Sequence, residues 1–92
     1  MEDWLERYAR ALRGQLGPAG SAAALDMSEG EVKSILDMAR VVARGTERLN
    51  APLSSYLAGQ YVAARVAGGA SATEAAAEAE QIAEELLDPG PV

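Results

Sequence analysis

The chain has 92 residues, 49% of them hydrophobic, with a formal charge of −6 and no histidine, cysteine or phenylalanine. That length suits one domain, which buries only about 60–65% of the surface its unfolded chain exposes. The missing residue types exclude a histidine-assisted hydrolase, a zinc protein, a disulfide scaffold and a thiolate nucleophile, and leave only a carboxylate-built metal site open.

The charge is unevenly spread. Residues 1–65 carry eight acidic and eight basic groups, whereas residues 66–92 hold Glu74, Glu78, Glu80, Glu84, Glu85 and Asp88 with no positive charge. Such an acidic end repels nucleic acid and anionic membrane, so neither is expected as a partner. The start, MEDWLERYAR, is charged throughout and unlike a secretory signal. No stretch approaches the roughly 18 consecutive apolar residues of a spanning helix. A cytoplasmic location is the expectation.

The first predicted helix covers about 3–15. Trp4, Leu5, Tyr8, Ala9, Leu12 and Leu16 recur at three- and four-residue spacing and share one face. Glu2, Asp3 and Glu6 suit the positive end of the helix dipole, and Arg10 and Arg13 the negative end. The GPAG that follows breaks the helix, and the 17–27 connection has room for one extra helical turn.

A second helix is predicted over 29–44. In MSEGEV, Ser28 and Glu31 have the spacing of a reciprocal capping box, with Met27 and Val32 placed as a hydrophobic staple. Val32, Ile35, Leu36, Ala39, Val42 and Ala43 form the apolar stripe, and Gly45 is placed to end the helix in the left-handed conformation.

The third helix, 51–67, follows NAP, with Asn50 as its cap and Pro52 in its first turn. Leu53, Tyr56, Leu57, Tyr61 and Ala64 make one stripe, and Ala58, Val62 and Val66 a second. Gly59 costs about 1 kcal/mol of helix propensity, which points to close approach of a neighbouring backbone. GG at 68–69 stops this helix.

The fourth helix, 72–87, opens on a second capping-box spacing, Ser71 to Glu74, and carries a seam of Ala75, Ala79, Ile82 and Leu86. Nothing alternates with period two, so the prediction is an all-α, compact four-helix bundle-like domain, mainly antiparallel, spanning 1–88 with a flexible tail at 89–92.

Candidate chemistry is sparse. Lys33, Asp37, Arg40 and Arg44 follow one another on the outer face of the second helix, Arg48 lies just beyond, and Asn50, Ser54 and Ser55 begin the third. Guanidinium groups beside a helix start can hold phosphate or carboxylate. The six candidates are therefore Arg40, Arg44, Arg48, Asn50, Ser54 and Ser55, either for a phosphate or pterin-like anion or for a partner. The competing structural reading is stronger: Arg44 favours the helix dipole, Asp37 pairs with Lys33 or Arg40, and Asn50 caps. Glu74, Glu78 and Glu85 can share a face, as can Glu80 and Glu84, yet a charge run of this kind is usually solvated. No catalytic residue, metal ligand or cofactor is assigned, and an enzyme is not expected. Trp4, Tyr8, Tyr56 and Tyr61 fit a core better than a ligand groove. The two-sided apolarity of the third helix and the seam of the fourth offer more apolar surface than one small bundle covers. A protein partner or a homodimer is the better expectation.

Trp4-Leu5, then VKSILDMARVVARGTERLNAPLSSYLAG, resembles an uncharacterised family of small helical domains from high-GC bacteria. The sharpest elements are Leu36-Asp37-Met38-Ala39-Arg40, Val42-Ala43, Ala51-Pro52-Leu53 and Tyr56-Leu57-Ala58-Gly59. Members of that family occur alone or attached to molybdenum-cofactor guanylyltransferase-like proteins. The resemblance thus implies an accessory role near molybdenum-cofactor synthesis, with such a guanylyltransferase as a partner, and it supplies no catalytic residues. The chain departs from the family pattern in its longer 17–27 connection and its acidic end. No strand followed by a glycine-rich nucleotide-binding loop is present, so guanylyl transfer is not expected of these residues.

Overall fold

The computed structural model describes residues 4–16 and 26–87. Most of the 17–27 connection, predicted to have room for an extra turn, and the tail at 89–92 lie outside them. Four helices make up an all-α, four-helix bundle-like fold: α1 (Trp4–Leu16), α2 (Glu29–Gly45), α3 (Asn50–Ala67) and α4 (Ala72–Leu87). Every boundary falls within a residue of its prediction.

The start of α2 forms as its sequence dictates. Ser28 Oγ accepts the Glu31 amide at 3.1 Å, and the Glu31 carboxylate accepts the Ser28 amide at 2.8 Å. At the start of α4, Ser71 Oγ accepts the Glu74 amide at 3.0 Å. The two starts are also joined, because the hydroxyls of Ser28 and Thr73 lie 2.7 Å apart. At the other end, a Cβ added to Gly45 would stand 3.1 Å from Leu87 Cδ2. Helices α2 and α4 therefore run parallel, start beside start and end beside end, with α3 antiparallel to both.

Three local expectations are corrected. Gly45 is not left-handed; among the described residues, Gly69 is the glycine with positive φ, at 106°. Helix α2 ends instead on Thr46, an extended residue whose amide and hydroxyl both donate to the Val42 carbonyl, at 2.9 and 2.8 Å. Asn50 does not cap α3 but belongs to its first turn, where its side-chain amide donates to Thr46 Oγ1 at 3.1 Å. Gly59 meets no close neighbour: a Cβ added there would touch nothing within 4 Å.

The core is small because the residues that enclose it are small. Its buried hydrophobic members are Met38, Val42, Ala58, Ala75 and Ala76, edged by Ile35, Ala79, Ala83 and Leu87. Ala75 and Ala76 are fully covered, which lets α4 lie close against α2. The buried faces of α2, α3 and α4 follow the predicted stripes in part, with Val42, Ile35, Ala75 and Ala79 inward as expected. Helix α2 buries Ser34, Met38 and Val42 and leaves Leu36 exposed, and α4 turns Ala83 and Leu87 inward in place of Ile82 and Leu86. In α3 the second predicted stripe supplies buried Ala58 and half-buried Val62, although its Val66 is exposed, and Leu53, Tyr56 and Leu57 face outward. Helix α3 is apolar almost all round, so helical periodicity cannot select its inner face. Helix α1 buries no residue.

Candidate functional site

The polar joint between α2 and α3, with the last turns of α2, holds the six candidate residues, and three of them, Arg40, Asn50 and Ser55, are engaged by partners within the chain. Arg40 Nη1 donates to Asp37 Oδ1 at 3.1 Å, and Lys33 donates to the other carboxylate oxygen at 2.7 Å. The Lys33 hydrogen bond, with the neighbouring positive charge, holds the Asp37 carboxyl below its usual range. Ser55 Oγ donates back to the Ala51 carbonyl at 3.0 Å, and Asn50 is spent on Thr46. Arg44 and Arg48 are exposed.

Ser54 and Asn50 line a cavity of about 210 Å³ with Val42, Thr46, Ala83, Leu86 and Leu87. No charged side chain is in this lining, so the arginines and the cavity do not form one anion-binding constellation. Its chemistry suits an apolar side chain entering between α3 and α4. Among the described residues, no three acidic side chains converge as a metal site would require.

A second polar arrangement escaped sequence reading. Glu78 on α4 receives Arg65 through two bonds, Nε to Oε1 at 2.9 Å and an Nη2 bond to Oε2 at 3.0 Å. The Tyr61 hydroxyl donates to the same Oε1 at 2.7 Å. Hydrogen bonds from Arg65 and then Tyr61 hold the Glu78 carboxyl down at about 2. The i, i+4 spacing of Tyr61 and Arg65 placed them on one face, but only the packing of α3 against α4 supplies Glu78. Both ends of the pair are partly exposed, and the cluster joins two helices and does not converge on an open pocket.

The largest feature is an apolar surface. On α1, Trp4 is 64% exposed and stacks on Tyr8 with ring centroids 4.9 Å apart. Leu5, Leu12 and Leu16 continue that exposed face. Helix α1 meets the start of α2 across an open cleft of about 420 Å³, lined by Leu5, Ala9, Met27 and Val32 and also by the charged Glu6, Arg10, Arg13 and Asp26. On α3, Leu53, Tyr56 and Leu57 stand outward after Leu49, which precedes the helix. The sequence had already shown α3 to be apolar on two sides; the structure shows which side is left over. No described helix is long and apolar enough to cross a membrane.

No curated protein and no solved structure matches the chain. The family model of a domain of unknown function, DUF6457, matches residues 1–90. The chain therefore belongs to that family of uncharacterised domains.

Proposed function

We propose that this DUF6457 domain is a non-enzymatic accessory domain that works by binding protein through its apolar helix faces. One observation carries the reading. Among the described residues, fourteen large apolar side chains are more than a third exposed, while the buried hydrophobic core is five residues, three of them alanine. A domain with so little buried bulk gains most from covering what it exposes. Contiguous apolar faces of this kind mark interaction sites more often than scattered leucines do.

The specific partner is a molybdenum-cofactor guanylyltransferase, supported by the resemblance in sequence to domains fused to such proteins. Trp4 is the single tryptophan and stands on the exposed α1 face, so its emission reports docking there. Titrating the guanylyltransferase from the same source, with its own tryptophans replaced, into the domain should shift Trp4 emission to the blue at micromolar concentration. Leu5→Glu or Leu12→Glu should abolish the shift. No binding at micromolar concentration by calorimetry overturns this partner.

A further inference from the structure

We infer that the outer face of α3, with the adjoining edge of α4, is a two-fold interface on which a second copy of this chain packs with its α3 antiparallel. This rests on the reading above that the apolar faces bind protein, and it assigns one of them an occupant. The face is continuous across two helices. Leu86 of α4 and Ser54 of α3 line one cavity. Leu53 and Leu57 flank Ser54 along α3, and Ile82 stands one turn before Leu86 on α4.

With Leu49 and Tyr56, these side chains are between 46% and 81% exposed. A face of this kind goes beyond the singly scattered apolar residues normal on a monomer, and a standard interface buries roughly 800 Å² on each partner.

Three features favour a second copy over an unlike partner. First, the α3 part of the face is uncharged. Arg65 is the only charged residue between Asn50 and Ala67, and Glu78 draws it toward α4, so two identical α3 faces meet without like-charge repulsion. Second, the outer face is bulky in its first half, Leu49 to Leu57, and small in its second, where Gln60, Ala63, Ala64 and Ala67 are exposed. An antiparallel pair about a two-fold axis lays each bulky half on the partner's small half; a parallel pair would set bulk against bulk and leave a gap between the alanines. Third, exposed Arg48 marks the start of α3, and Glu74 lies in the first turn of α4, beside the end of α3. Antiparallel pairing brings these opposite charges to the same ends, whereas parallel pairing brings Arg48 to Arg48.

The chain has no cysteine, so single introduced cysteines report the geometry cleanly. Gln60 lies near the middle of α3 and close to the two-fold axis. Leu49 would lie about 28 Å from its counterpart at 1.5 Å of rise per residue. Sedimentation equilibrium of the full chain should give twice the chain mass of 9.6 kDa at tens of micromolar. Oxidised Gln60→Cys should run as a disulfide-linked dimer, Leu49→Cys should not, and Leu53→Glu with Leu57→Glu should sediment as a helical monomer. A wild-type chain that stays at 9.6 kDa up to millimolar concentration overturns the pairing, as does crosslinking of Leu49→Cys equal to that of Gln60→Cys. A strict monomer whose Trp4 emission still shifts with the guanylyltransferase overturns the pairing alone and leaves the proposed function standing.

Discussion

Arg65 closes on Glu78 through two hydrogen bonds, 2.9 and 3.0 Å long, and so turns the only charge of α3 toward α4. That pairing lies on the same side of α3 as its buried contact with the core. Tyr61 joins it on the same carboxylate, Ala58 is buried a turn earlier, and the bulkiest apolar residues of the helix are left on the far side.

The pair predicts an acid signature. Glu78 is held at about 2 against an ordinary 4.5, so its contribution to stability is fully present above pH 4.5 and is lost as pH falls toward 2. Glu78→Gln should lower the melting temperature slightly at pH 7, since both partners are more than a third exposed and screened by water. Its melting temperature should also fall less steeply than wild type between pH 4.5 and 2. Parallel acid profiles for the two proteins would show that the pairing does not form in solution.

The junction of α2 and α4 predicts a rescue. A Cβ added to Gly30 would stand 2.7 Å from Thr73 Cγ2, and rotating Thr73 away would break its hydroxyl contact with Ser28. Gly30→Ala should therefore destabilise the fold, although alanine is better than glycine by about 1 kcal/mol in a helix interior. Combining it with Thr73→Ser removes the methyl, keeps the hydroxyl and should restore stability to wild type or better in urea unfolding. Thr73→Ser alone should cost little.

Among the described residues Met38 is the largest buried side chain, 3% exposed, and packs where α2, α3 and α4 meet. Met38→Ala should cost about 2–5 kcal/mol in urea unfolding, more than any single alanine substitution on the exposed faces of α1 or α3. A loss below 1 kcal/mol would place the core elsewhere.

Gly59→Ala should stabilise the chain by about 1 kcal/mol, since its added methyl meets nothing within 4 Å and its φ is negative. Urea unfolding at low micromolar concentration, where self-association is weakest, is the measurement. A loss of stability would mean that another part of the molecule approaches this position.

Helix existence, order and bounds were legible because local chemistry sets them: the Ser28–Glu31 box, the GG stop and Pro52 in a first turn all act within a few residues. Which face each helix buries was less legible. Ile82 and Leu86 are larger than Ala79 and Ala83, yet α4 turns the alanines inward because a close helix contact favours small side chains over bulk. The predicted anion-site residues kept their places at the α2–α3 joint, but Arg40 and Asn50 are engaged within the chain and the cavity beside them is lined without charge. Arg65 and Glu78 gave no signal in the sequence because thirteen residues and a turn separate them.

If association completes what this small core leaves open, the melting temperature must depend on protein concentration. Anything that binds the folded chain and not the unfolded one raises its stability by mass action. Between a few micromolar and about a millimolar, wild-type midpoints should rise by several degrees, while the Leu53→Glu, Leu57→Glu chain should melt at one temperature throughout. A wild-type midpoint that does not move with concentration, in a chain that sediments as a monomer and binds no protein through α1, would show that the exposed apolar faces are not interaction surfaces.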